Sequence, residues 1–100
     1  MTKIFFERTG GFMGRTVNFE VDLDDLPKDL ADSWYELLDE ADFFELPEDL
    51  TGKNIPDGFS YHVKVESKKG KHSVRCGDAS VPDDLRPLLD ELSKQARMRR

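Results

Sequence analysis

Cysteine occurs once in the 100 residues, at Cys76, and histidine twice, at His62 and His72. One thiol excludes an internal disulfide framework and any multi-cysteine zinc site, and it agrees with a reducing compartment. No apolar run approaches the ~18 residues that cross a bilayer. Met1 to Gly10 lacks the basic region followed by an apolar stretch that marks a secretory signal. The expectation is a cytoplasmic protein with no membrane contact. Cations are scarce in the middle of the chain, where thirteen residues between Glu20 and Leu50 are Asp or Glu and only Lys28 is basic. With a net charge of −6, this distribution argues against nucleic acid as a partner, because an acidic domain field repels the phosphate backbone. Lys94, Arg97, Arg99 and Arg100 are the exception, a short basic C-terminal tail at 94–100. Such a tail complements the negative end of a helix dipole without any partner. It also lacks the interleaved aromatics of a single-strand binder.

What is present suffices for one folded domain over residues 1–100. Ten aromatics and two leucine-rich periodic segments supply the apolar surface that a disordered chain lacks. Lys3 to Arg8 and Arg15 to Leu23 read as strands, the second alternating Val17, Phe19, Val21 and Leu23 with polar residues. The glycines of Thr9-Gly10-Gly11-Phe12-Met13-Gly14 suit the hairpin between them. The expected register pairs Phe6 with Val17 and Ile4 with Phe19, leaving Phe5 on the other face. Pro27 suits a helix start. Leu30, Trp34, Leu37, Leu38, Ala41 and Phe44 then form one helical stripe that is expected to end at Leu46-Pro47. Glu48 to Gly58 reads as a long connection. A second hairpin follows, with Phe59, Tyr61, Val63 and Val65 alternating inward and a turn at Lys69-Gly70. Its expected register pairs Val65 with Val74 and Val63 with Cys76. Leu85, Leu88, Leu89, Leu92 and Ala96 mark a last helix with Pro87 in its first turn. Hairpin, helix, hairpin, helix is thus written twice. The expected fold class is α+β: a four-stranded antiparallel sheet with two helices packed on one face, in the order ββαββα.

Chemistry is thinly represented. His72 and Cys76 share a strand face, yet the thiol falls among apolar neighbours and His72 near the turn. The expectation is a core thiol with two ordinary surface histidines. Asp22-Leu23-Asp24-Asp25 begins like a calcium loop but lacks its central glycine and terminal Glu. Gly10, Gly11 and Gly14 precede a strand, so no helix N-terminus is offered to a phosphate. No catalytic residues, metal ligands or cofactor are expected, and the chain does not read as an enzyme.

Three blocks carry a resemblance: Phe6-Glu7-Arg8-Thr9-Gly10-Gly11-Phe12-Met13-Gly14, Ala41-Asp42-Phe43-Phe44-Glu45-Leu46-Pro47, and Pro56-Asp57-Gly58-Phe59-Ser60-Tyr61. From Ile4 to about Leu92 the chain resembles the emfourin family, small bacterial proteins that inhibit protealysin, a thermolysin-like zinc metallopeptidase. The resemblance implies a competitive proteinaceous inhibitor with no cofactor of its own and a metallopeptidase as partner; the free chain is expected to be a monomer. The runner-up is an interaction module with another protein target. Two loops have the composition of a cleft-filling element. Gly10, Gly11, Phe12, Met13 and Gly14 present two large apolar side chains between glycines, although Phe12 has the alternative of folding back over the sheet edge. Thr51 to Gly58 offers Ile55 and Asp57, the latter a ligand for a partner's zinc or the first residue of an ordinary Asp-Gly turn. Thermolysin-like enzymes favour a bulky apolar residue on the primed side of the scissile bond, which the resemblance connects to Phe12, Met13 or Ile55.

Overall fold

Alternation decides where the strands run. In the computed structural model, which describes residues 2–10, 16–50, 59–68, 70–77 and 80–98, β1 (Thr2–Gly10) and β2 (Val17–Asp22) form the first antiparallel pair. Ile4 faces Val21 and Phe6 faces Phe19, so the register sits two residues away from the expected one. Two residues are one full pleat period, and Ile4, Phe6 and Phe19 are buried all the same. Thr9 and Gly10 pair with the next strand of the sheet, opposite Ser60 and Phe59, so β1 runs on beyond the end of β2.

The second hairpin shows the same kind of correction. In β4 (Phe59–Ser67) and β5 (Gly70–Gly77), Val63 faces Val74, Val65 faces His72 and Tyr61 faces Cys76. Gly70 is a strand residue opposite Ser67, and its φ of 139° is the positive value that only glycine adopts readily. Cys76 keeps its inward direction and is 1% exposed.

With β3 (Asp49–Leu50) added, the sheet has five strands in the order β2-β1-β4-β5-β3. This fifth strand lies in the stretch that reads as connection and runs parallel to β5, with Asp49 beside Arg75 and Leu50 beside Cys76. The Arg75 N–H also donates to the Glu48 carbonyl at 2.8 Å. The sheet is therefore mixed rather than four-stranded and antiparallel. Two residues carry no alternation, which is why nothing in the sequence marks this strand.

Helices α1 (Lys28–Ala41) and α2 (Arg86–Met98) cover one face, as expected. Trp34, Leu38 and Ala41 from α1 and Leu88, Leu89, Leu92 and Ala96 from α2 share a single core with Ile4, Phe6, Val63, Val65 and Val74. Pro87 falls in the first turn of α2, where its missing N–H costs nothing. α1 stops earlier than Leu46-Pro47. Asp42 adopts a left-handed conformation, φ 52°, and a 3-10 turn over Phe43–Glu45 follows. That break takes Phe44 off the expected stripe and leaves it 49% exposed, while Phe43 is buried. Leu30, in the first turn, also lies outside the core, 53% exposed.

The twofold writing of the sequence has a counterpart in space. β1 and β4 are nine residues each and pair about Phe6 and Val63 at their centres, so the order β2-β1-β4-β5 reads alike from either side. β3 has no counterpart among the described residues.

Candidate functional site

Gly10 at the end of β1 and Phe59 at the start of β4 are cross-strand partners. The chain leaves Gly10 toward residues 11–15 and reaches Phe59 from residues 51–58. Both candidate loops are therefore tethered to one end of the sheet, on strands ~4.8 Å apart. Of the expected binding residues only Gly10 is described; Gly11, Phe12, Met13, Gly14, Ile55 and Asp57 lie outside the described residues. Gly10 has φ 103°, a value that a side chain resists, so glycine is needed where the loop departs.

Below these tethers the sheet is braced. The Arg8 guanidinium lies 4.8 Å from the centroid of the Phe59 ring, joining β1 to β4 beside both departure points. Phe59 is 6.4 Å from Tyr61, and Tyr61 stacks on Phe6 at 6.3 Å. Each such contact is worth about 0.5–1 kcal/mol, and together they run from the loop end into the core. Sequence reasoning missed this column. Alternation puts Phe59, Tyr61 and Phe6 on one face, but only the β1–β4 register, which joins distant segments, shows that Arg8 reaches Phe59.

The sheet face opposite the helices carries Glu7, His62, Lys64, Glu66 and Arg75. A groove of about 980 Å³ there is lined by Phe5, Glu7, His62 and Lys64 among others. Lys64 Nζ lies 3.0 Å from Glu66 and 5.5 Å from the Phe5 ring centroid. The hydrogen bond from Lys64 holds the Glu66 carboxyl below its ordinary range. Burial, and then the Arg75 guanidinium, hold His62 below its usual 6.5, with Glu7 opposing and Lys64 adding to the depression.

His72 is not the ordinary surface residue expected. It is half-buried, its Nε2 donates to the Leu46 carbonyl at 2.8 Å, and its ring meets Phe43 edge-on at 5.5 Å. Cys76 is four residues along β5 and buried, so the two do not form a thiol–imidazole pair. Among the described residues no group of three or more His, Cys, Asp or Glu is placed to hold a metal ion. No helix among them is long and apolar enough to cross a membrane.

These features define a class: a small open-faced α+β domain whose chain leaves the sheet at Gly10 and rejoins it at Phe59, side by side at one end. The family follows from comparison with known proteins, since the chain matches the emfourin family model over residues 6–93 and belongs to that family. No curated protein and no solved structure matches it. The family is, in general terms, one of protealysin inhibitors, and membership is consistent with a chain that is not itself an enzyme.

Proposed function

We propose that the protein is a competitive inhibitor of a thermolysin-like zinc metallopeptidase and that the Gly10–Gly14 loop enters the active-site cleft. The observation that carries this reading is the pairing of Gly10 with Phe59, which sets the points where both loops join a braced sheet side by side. A loop held at its base loses less freedom on binding than a loose one, so more of the contact energy appears as affinity. Phe12 and Met13 supply the bulky apolar group that such enzymes accept next to the scissile bond. Glycine on either side lets the backbone lie close to a cleft wall. The second loop, with Ile55 and Asp57, fills the adjoining part of the cleft, and its carboxylate is the group available to the enzyme's zinc. The inhibitor brings no metal or cofactor and acts as a monomer.

Inhibition constants against a thermolysin-like protease test this, measured for Phe12→Ala, Met13→Ala, Ile55→Ala and Asp57→Ala alongside the stability of each variant. Phe12→Ala or Met13→Ala weakens inhibition by about 1–4 kcal/mol if it removes a hot spot, and by more than it weakens folding. If only Ile55→Ala or Asp57→Ala raises the constant, the 51–58 loop is the binding element. If none of the four does, the loops are not the site and the groove around Phe5 takes their place. A wild-type chain that inhibits no such protease overturns the reading in favour of an interaction module with a different target.

A further inference from the structure

The C-terminal end of α1 carries a surface that the loop reading leaves unused. Asp42, the non-glycine residue with positive φ among those described, stops the helix so that Phe43 enters the core and Phe44 turns outward. Phe44 is half exposed but held in place: its ring stands edge-on to Phe43 at 5.8 Å and tilted against His72 at 6.1 Å. Tyr35, 44% exposed, is fixed in turn by its hydroxyl, which donates to Thr2 Oγ1 at 3.1 Å. Between the two rings lies a groove of about 530 Å³, with Leu38 and Phe43 among its lining residues. Two large aromatics kept exposed at a groove are what an apolar anchor requires, because ordering them adds little to the cost of binding.

The charge on the rim has one sign, Lys68 excepted. Asp39, Asp42 and Glu45 line the groove, and α1 has no basic residue in its last turn. Among the described residues no ion pair neutralises these three carboxylates. The negative end of the helix dipole lies in the same place, where cations rather than acids are favoured. The isolated domain therefore holds an unfavourable arrangement that a cation from elsewhere relieves.

We propose that this groove docks a cationic peptide segment of another protein. The segment seats a large apolar side chain between Tyr35 and Phe44 and sets Lys or Arg beside Asp39, Asp42 and Glu45. Thr2 and Ser67, which meet at this end of the β1–β4 pair, also line the groove. It therefore sits at the opposite end of the sheet from Gly10 and Phe59, away from the points where both loops join the sheet. The proposal does not depend on the inhibitor reading.

The test is an NMR titration of the isotope-labelled full chain with acetyl-Lys-Arg-Phe-Lys-amide, and with acetyl-Glu-Glu-Phe-Glu-amide as its acidic counterpart. Amide shifts are expected at Tyr35 and Phe43–Glu45 with the basic peptide only. The triple variant Asp39→Asn, Asp42→Asn, Glu45→Gln is expected to bind about tenfold more weakly; asparagine tolerates the left-handed conformation at 42, so the fold is kept. Phe44→Ala, which leaves the charge untouched, is expected to weaken binding several-fold. Shifts spread evenly along the acidic face at Asp25, Asp29 and Asp32, or affinity indifferent to Phe44→Ala, reduce the effect to diffuse attraction and overturn the proposal. So does concentration-dependent sedimentation of the protein alone that disappears when Lys94–Arg100 is removed, since the occupant is then a second copy.

Discussion

The indole of Trp34 lies 6.3 Å from the ring of Phe19 and 28° from parallel, fastening the middle of α1 to β2 at the edge of the sheet. Both residues are buried. Trp34→Ala therefore removes a core side chain and a stacked pair at once. The expected loss is ~3–5 kcal/mol, against the ~5–15 kcal/mol that holds a typical domain together. A denaturant midpoint measures it, and blue-shifted emission from the wild-type indole, a readout of the same burial, should vanish with unfolding.

Cys76 tests the register of the second hairpin. Its side chain lies in the core, with Tyr61 on one neighbouring strand and Leu50 on the other. Slow reaction with a thiol reagent is expected in buffer and fast reaction in denaturant. Rapid labelling of the native protein would mean that β5 is displaced by one residue, which reverses its inward and outward faces.

The His62 environment makes stability depend on pH. Burial and Arg75 keep the folded-state value below 6.5, so the unfolded chain takes up a proton at a higher pH than the native one. The contribution of neutral His62 is fully present above about 6.5 and is lost as pH falls from there through the folded-state value. Imidazole titration by NMR should place His62 below 6.5. It should move upward in Arg75→Ala and further downward in Glu7→Gln. A wild-type midpoint at or above 6.5 contradicts this account.

Shortening the C-terminus should separate two parts of the basic tail. α2 continues to Met98, Ala96 is 7% exposed, and Gln95 donates to Glu91 at 2.8 Å. Deleting Arg99 and Arg100 is expected to leave the melting temperature unchanged. Deleting from Lys94 onward takes away the last helical turn and is expected to cost about 1 kcal/mol. Protease inhibition should survive both deletions.

Much of the architecture was legible because it rests on period. Alternation in β1, β2, β4 and β5 and the leucine stripe of α2 assign the right face to Ile4, Phe19, Val63, Val74, Cys76 and Leu92. Errors arose where one residue or one distant contact decides. The left-handed turn at Asp42 exchanges Phe43 and Phe44 between inside and outside, and helical spacing cannot register such a break. Both hairpin registers slid by one pleat period, a change that alternation does not sense. At the candidate site, the glycines and Phe59 were visible separately. Their meeting depends on β1 finding β4, and no local signal encodes that.

That same seam sets how the chain becomes a protein. Every residue of β1 from Thr2 to Gly10 has its partner in Phe59–Ser67, in the other half of the sequence. On the ribosome the first hairpin can close early, but the inner edge of β1 stays bare until β4 has been made. For that interval the nascent chain carries an open, apolar strand edge, the geometry that recruits other chains. The segment synthesised between the two strands includes the acidic run from Glu20 to Leu50, whose like charge opposes close association of unfinished chains.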